Sequence, residues 1–155
     1  MNVNFPLLLA KISPLVYFSV ALILMVLLDY FMPLSHMIFI PLRILGGLVF
    51  LGGIFIIFKI AKQYEQEGTP IKYLARPTTI ITTGPYRYSR NPVYLAMLLS
   101  LIGAWIALAS LSPVIVIIGF FFLLDRCIIP QEEIFLEAEQ PQQYLDYKYQ
   151  VRRWL

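Results

Sequence analysis

Charged residues are scarce in this chain, and they are unevenly distributed. Only 14% of the 155 residues are charged, whereas 59% are hydrophobic, and the mean hydropathy is +0.75. Residues 1–58 carry only Lys11, Asp29 and Arg43, and residues 91–124 carry no charge. Soluble domains have about 25% charged residues, usually spread along the chain. The composition therefore argues against a soluble domain and indicates an integral membrane protein.

Cysteine and histidine are also nearly absent. Cys127 is the only cysteine and His36 the only histidine, so the chain has neither an internal disulfide nor the ligand cluster of a zinc or haem site. The net charge is only +3, and no basic face with interleaved aromatic residues accompanies it. We therefore expect no metal and no nucleic acid, and the expected partner is the lipid bilayer.

The distribution of apolar residues predicts an all-α polytopic membrane protein with one membrane domain over residues 1–155. About 20 apolar residues in a helix, at 1.5 Å per residue, cross a bilayer core of about 30 Å. About four transmembrane helices are expected, at residues 15–34, 37–60, 93–109 and 113–129. The last two runs are separated by only three residues and should form a helical hairpin. Because both are short, a tilted or partly submerged hairpin is an alternative.

Two polar segments complete the predicted topology. Residues 61–92 form a connector, and residues 130–153 have the pattern of an amphipathic C-terminal helix that begins at Pro130. Lysine and arginine are concentrated in these segments, which the positive-inside rule places in the cytoplasm together with both termini. We expect a bacterial cytoplasmic membrane.

Four glycines in the second span, Gly46, Gly47, Gly52 and Gly53, offer small surfaces for close helix packing. This packing could be within the chain or between chains, so the oligomeric state is left open.

The polar segments contain two clusters of functional side chains, GPYRYSRNPVY at residues 84–94 and EEIFLEAE at residues 132–139. The predicted hairpin brings them together, because one cluster opens its first helix and the other follows its second. Arg90, Asn91 and Tyr94 should then face Glu132 and Glu133. Such a site suits a ligand that is half polar and half lipid. Alternatively, the arginines are membrane-surface anchors and the glutamates are their ion-pair partners.

Four motifs occur in these segments in a fixed order: Gly84-Pro85-Tyr86, Arg90-Asn91-Pro92-Val93-Tyr94, Glu132-Glu133-Ile134-Phe135-Leu136, and Tyr144-Leu145-Asp146-Tyr147 followed by Val151. Their order and spacing resemble the isoprenylcysteine carboxyl methyltransferase family and the related phospholipid methyltransferases. The resemblance covers roughly residues 70–155. The chain departs from the family pattern in two places: Asn91 replaces a histidine, and Gln140-Pro141 replaces Phe-Gly.

The resemblance implies S-adenosylmethionine as the methyl donor, bound at the cytoplasmic end of the hairpin. The residues implied in the cofactor pocket are Thr78, Thr79, Ile80, Ile81, Tyr86, Asn91, Pro92, Val93, Tyr94 and Glu132. An ionised Glu132 would accept hydrogen bonds from the ribose hydroxyls or the amino group. The rings of Tyr86 and Tyr94 would attract the sulfonium by cation–π contact.

The implied reaction is in-line methyl transfer to a lipid-borne or small hydrophobic acceptor, such as an isoprenylcysteine carboxylate. The catalytic set comprises Arg90 or Arg126, which would orient an anionic acceptor, and Glu133, which with Glu132 would hold the donor. Arg126 is the nearest candidate for an arginine that the family places just before Glu-Glu, at a different spacing. Transfer to a carboxylate or thiolate depends mainly on alignment and needs no base, so asparagine at position 91 is compatible with activity.

Two other functions remain open from the sequence. Membrane sterol-type reductases, which use a reduced nicotinamide cofactor, have a segment similar to residues 84–94. The Glu-Glu motif, however, fits the methyltransferases better. The chain could also be a non-catalytic membrane scaffold or lipid-binding subunit, in which Asn91 marks the loss of catalysis.

Overall fold

The computed structural model of the protein describes residues 12–34, 40–68 and 80–155, and none of these residues forms a β-strand. The elements are α1 (Pro14–Phe31), α2 (Ile40–Gln66), a 3-10 helix (Gly84–Arg87), α3 (Pro92–Leu108), α4 (Val114–Leu123), α5 (Ile129–Glu139) and α6 (Pro141–Gln150). The predicted all-α class is confirmed.

Three helical stretches are long and apolar enough to cross a membrane: α1, α2 and the continuous stretch Val114–Glu139. Their outward faces carry many exposed leucine, isoleucine and phenylalanine side chains. Such faces are unfavourable in water and stable in a hydrocarbon environment. Helix α3 is equally apolar but shorter, with 17 residues. An integral membrane protein is thus supported, and the number of four spans stays a prediction.

Helix α2 packs closely against α3 through glycines. A Cβ atom at Gly46 would come within 2.8 Å of the Gly103 carbonyl oxygen, and one at Gly53 would collide with α3 as well. By contrast, a Cβ atom at Gly47 or Gly52 would meet nothing within 4 Å among the described residues. The predicted packing role is therefore confirmed for Gly46 and Gly53, which lie on the face turned towards α3.

The predicted helical hairpin is present as α3 and α4. Helix α3 ends at Ala109, which has a left-handed backbone conformation (φ 59°). The indole Nε1 of Trp105 donates to the Ser110 carbonyl at 2.8 Å, and the Leu111 amide donates to the Leu34 carbonyl at 3.0 Å. This turn therefore lies beside the C-terminal end of α1, and the start of α3 lies at the opposite end of the bundle.

The C-terminal region differs from the predicted single helix over residues 130–153. Helix α4 continues through a π-helical turn, Leu124–Ile128, directly into α5, so Pro130 lies inside a long helix. Proline lacks an N–H and crowds the preceding turn, and the wider π-helical turn accommodates it. The break comes at Gln140, whose backbone is not helical (φ −140°, ψ 69°), and Pro141 opens α6.

Candidate functional site

The segment before α3 is fixed between α2 and α6 by tyrosine hydroxyls. Tyr86 is buried in the 3-10 helix, and its hydroxyl donates to the hydroxyl of Tyr64 on α2 at 2.9 Å. From α6, the Tyr147 hydroxyl donates to the Tyr86 carbonyl at 2.7 Å. Burial raises the pKa of Tyr86 well above its ordinary value and also raises that of Tyr147. Both side chains therefore keep their protons, and the start of α3 is held in one place.

Two contacts join the start of α3 to α5. The Nη1 atom of Arg90 lies 3.0 Å from Oε1 of Glu133, and each of these side chains is only 10% exposed. One turn further along α3, the Tyr94 hydroxyl donates to Oε1 of Glu132 at 2.8 Å. The expected juxtaposition of the Arg-Asn-Pro-x-Tyr and Glu-Glu motifs is therefore observed, at the end of the bundle opposite the α3–α4 turn.

A second arginine, absent from the predicted site, also binds Glu133. Arg153 donates from Nη2 to Oε2 of Glu133 at 2.7 Å and from Nε to Oε1 at 3.2 Å. Its Nη1 atom lies 3.4 Å from Oδ1 of Asp125. The hydrogen bonds to Glu133 are the main cause of a raised pKa of Arg153, with a further contribution from Asp125. Glu133 is thus held by two guanidinium groups.

Arg90 also contacts α6 and retains one unused donor. Its Nη1 atom donates to the Tyr144 hydroxyl at 3.2 Å. Burial raises the pKa of Tyr144 to about 12, the charge of Glu133 adds to this shift, and Arg90 opposes it. Within the part of the chain that the structure describes, the buried Nε atom of Arg90 has no hydrogen-bond partner. An unpaired buried donor costs about 1–3 kcal/mol, so an acceptor group that reached this atom would bind favourably.

Asn91 has a specific structural task. Its backbone N–H donates to Ser89 Oγ at 3.0 Å, and its side-chain Nδ2 donates to the Arg153 carbonyl at 3.0 Å. The side-chain amide that replaces the family histidine therefore holds the C-terminal tail against the start of α3.

The other predicted pocket residues are distributed around this centre. Pro92 is buried and Val93 half-buried in the first turn of α3. Ile80 and Ile81 pack in an apolar cluster with Tyr86, Tyr144 and Tyr147. Thr78 and Thr79 lie outside the described residues. The proposed contacts of all these residues with a cofactor stay predictions.

Arg126 lies apart from the Arg90–Glu133 pair. Its side chain is 76% exposed, and its Nε atom is 3.4 Å from Oδ2 of the adjacent Asp125. The π-helical turn that carries Arg126 points this side chain outwards, so the structure does not bring it together with Glu133 or Glu132.

The comparisons with known proteins identify a family for this chain. Residues 42–139 match the family described as phospholipid methyltransferase, which is well over half of the chain. The matched range contains Arg90, Tyr94, Glu132 and Glu133, and it excludes α6 and the C-terminal tail. Neither the curated proteins nor the solved structures contain a match. The resemblance seen in the sequence motifs is confirmed at the level of the family, and the chain belongs to the phospholipid methyltransferase family.

Proposed function

We propose that the protein is an integral membrane methyltransferase that uses S-adenosylmethionine and acts on a lipid-borne or small hydrophobic acceptor. The observation that carries the proposal is the polar site at one end of the apolar helices, where Tyr94 binds Glu132 at 2.8 Å beside the Arg90–Glu133 pair. Its location in a member of the phospholipid methyltransferase family supports methyl transfer as its chemistry.

The residues at the site fit a donor of this kind. Tyr94 donates a hydrogen bond to one carboxylate oxygen of Glu132. The other oxygen takes no part in that bond, and it would accept a hydrogen bond from the amino group or a ribose hydroxyl of the donor. Tyr86 and Tyr94 add aromatic rings that attract a sulfonium. When bound, S-adenosylmethionine supplies an activated methyl group. Glu132 and the two tyrosines would hold it in one orientation.

The acceptor would meet the donor at the membrane surface. The exposed apolar faces of the helices suit contact with lipid, so an acceptor can keep its apolar part in the bilayer while its polar end reaches the site. The unused Nε donor of Arg90 would bind an anionic group on the acceptor. Arg126, exposed at the same end of the bundle, is the second candidate for this task. An isoprenylcysteine carboxylate has the required half-polar, half-lipid chemistry.

Catalysis would then rest on alignment. A carboxylate or thiolate acceptor is already a nucleophile, and holding it in line with the methyl group lowers the barrier without a base. Asn91 fits this mechanism because its side-chain amide supports the C-terminal tail and no proton transfer is required at that position.

The proposed location is a bacterial cytoplasmic membrane with both termini in the cytoplasm. The donor is water-soluble and would enter from that side, and the acceptor would enter sideways from the bilayer.

The decisive experiment is a calorimetric titration of the detergent-purified protein with S-adenosylhomocysteine and, separately, with a reduced nicotinamide dinucleotide. We expect micromolar affinity for the first and no binding of the second. Glu132→Gln should weaken binding roughly tenfold or more, because the amide offers one acceptor oxygen in place of two, and an unpaired polar group at the site costs about 1–3 kcal/mol. The matched control is Glu65→Gln, an exposed glutamate near the end of α2, which should bind as the wild type does.

The outcomes separate the candidate functions. Binding of the nicotinamide dinucleotide alone would favour the reductase, and binding of neither compound would sink the proposal. Binding of S-adenosylhomocysteine without methyl transfer to any lipid extract would favour the non-catalytic alternative. Equal affinities of the wild type and Glu132→Gln would remove Glu132 from the donor site.

A further inference from the structure

The C-terminal tail, residues 151–155, folds back over the start of α3. The Arg90 amide donates to the Arg152 carbonyl at 3.0 Å, and Ser89 Oγ donates to the Arg153 carbonyl at 3.2 Å. Asn91 Nδ2 donates to the same Arg153 carbonyl. Three consecutive residues before α3 therefore bind the backbone of two consecutive residues of the tail, which fixes the position of Arg153.

The tail is also anchored to the π-helical turn between α4 and α5. The Trp154 indole Nε1 donates to Oδ1 of Asp125 at 3.0 Å, and the Trp154 ring lies 5.2 Å from the ring of Phe121. The same Asp125 oxygen lies near Arg153. The Arg153 side chain thus lies between two carboxylates, Asp125 and Glu133. The backbone of its segment is held by the residues before α3.

This arrangement fixes the orientation of the Glu133 carboxylate. Its two carboxylate oxygens receive three arginine contacts, two from Arg153 and one from Arg90. A bidentate guanidinium fixes the plane of a carboxylate, so Arg153 sets the orientation of Glu133, and Glu133 in turn sets that of Arg90. Without Arg153, Glu133 would keep only its single contact with Arg90, which does not fix the plane of the carboxylate.

We propose that Arg153 is a positioning residue for the donor and acceptor site, acting through Glu133. It holds Glu133 and Arg90 in place, and it thereby leaves the adjacent Glu132 as the carboxylate that contacts the donor. The inference rests on the proposed methyltransferase function. It concerns a segment outside residues 42–139, the range that matches the family.

The test measures the affinity for S-adenosylhomocysteine in full-length variants. Arg153→Gln should weaken it roughly tenfold or more, because small displacements of positioned groups have large effects. Arg153→Lys should give an intermediate value, since an ammonium group does not form the bidentate contact. Arg152→Gln removes the same charge one residue earlier, from an exposed side chain, and should stay within about twofold of the wild type.

Two further measurements separate positioning from simple stabilisation of the tail. Trp154→Phe removes the hydrogen bond to Asp125 and keeps Arg153; it should lower the thermal unfolding midpoint and leave the affinity close to that of the wild type. In Arg153→Ala, millimolar ethylguanidinium should restore binding, whereas ethylammonium should restore less. Because the rescue compares one variant with and without the added compound, it tests the positioning role of Arg153 even if the substitutions reduce stability.

The possible failures are distinct. If the wild type does not bind S-adenosylhomocysteine, the proposed function fails and this inference fails with it. If the wild type binds and Arg153→Gln binds equally well, only the positioning role is wrong. If Trp154→Phe weakens binding as much as Arg153→Gln and ethylguanidinium gives no rescue, the tail acts only through stability, which also contradicts the proposal.

Discussion

Glu132 and Glu133 are neighbours in sequence, but successive residues of an α-helix point about 100° apart. Glu133 therefore reaches the two arginines, and Glu132 reaches Tyr94. On the proposed function, this difference gives them different tasks: Glu133 would organise the site, and Glu132 would contact the donor. The sequence motif alone does not distinguish the two glutamates, because nothing in a Glu-Glu dipeptide shows which carboxylate is already bound by other side chains.

The buried Tyr144 hydroxyl leads to a prediction about the stability of the protein at alkaline pH. Burial raises its pKa from 10.0 to about 12, so as the pH rises through this window the unfolded state loses the proton first. The free energy of unfolding should therefore fall between about pH 10 and about pH 12. Tyr144→Phe removes this contribution, and its thermal unfolding midpoint in detergent should fall less steeply with pH than that of the wild type.

The control for this measurement is Tyr149→Phe, a substitution on the same helix at a side chain that is 88% exposed. It should keep the wild-type pH dependence. Only the slope is compared, because Tyr144→Phe also loses the hydrogen bond from Arg90 and should start from a lower stability. Identical slopes for the wild type and Tyr144→Phe would show that the tyrosine does not titrate as its burial implies.

At the level of helices, the glycines of α2 give a paired prediction. A Cβ atom at Gly46 would collide with the α3 backbone near Gly103 and Ala107, whereas one at the adjacent Gly47 would meet nothing within 4 Å of the described residues. Gly46→Ala should lower the free energy of unfolding by about 1–3 kcal/mol through overpacking. Gly47→Ala should be neutral or slightly stabilising, because alanine has the higher helix propensity.

Unfolding of both variants in detergent by thermal scanning would measure this difference. Because the two substitutions are chemically identical and adjacent, they differ only in the face of α2 that they alter. If Gly47→Ala were the more damaging of the two, the role of Gly46 in the α2–α3 contact would need to be revised.

The sequence predicted the helices well and their junctions less well. Apolar runs of membrane length gave α1 to α4, since hydropathy is a property of each segment by itself. The continuation of α4 into α5 was missed because Pro130 normally starts or breaks a helix, and the π-helical turn that accommodates it has no sequence signal. The return of the tail was missed for another reason: Pro141 signals the break at Gln140, but the sequence does not show how α6 packs, and only that packing brings Arg153 close to Glu133.

On the scale of the whole molecule, the side chains of the candidate site lie at one end of the bundle. The tyrosine contacts of α2, the start of α3, α5, α6 and the tail all meet there, and the opposite end holds the α3–α4 turn with Ser110 and Ser112. A water-soluble donor would therefore have access from one side of the membrane only. The positive-inside rule predicts that this side is the cytoplasm.

This orientation can be measured with single cysteines. In a Cys127→Ser background, Leu111→Cys at the exposed α3–α4 turn and Gln143→Cys at an exposed position of α6 place one thiol at each end of the bundle. In right-side-out vesicles, a membrane-impermeant thiol reagent should label position 111 and not position 143. Inverted vesicles should give the reverse pattern, and detergent should make both positions reactive. Labelling of both positions from one side would mean that α3 and α4 form a hairpin submerged in one leaflet, which the short length of α3 permits.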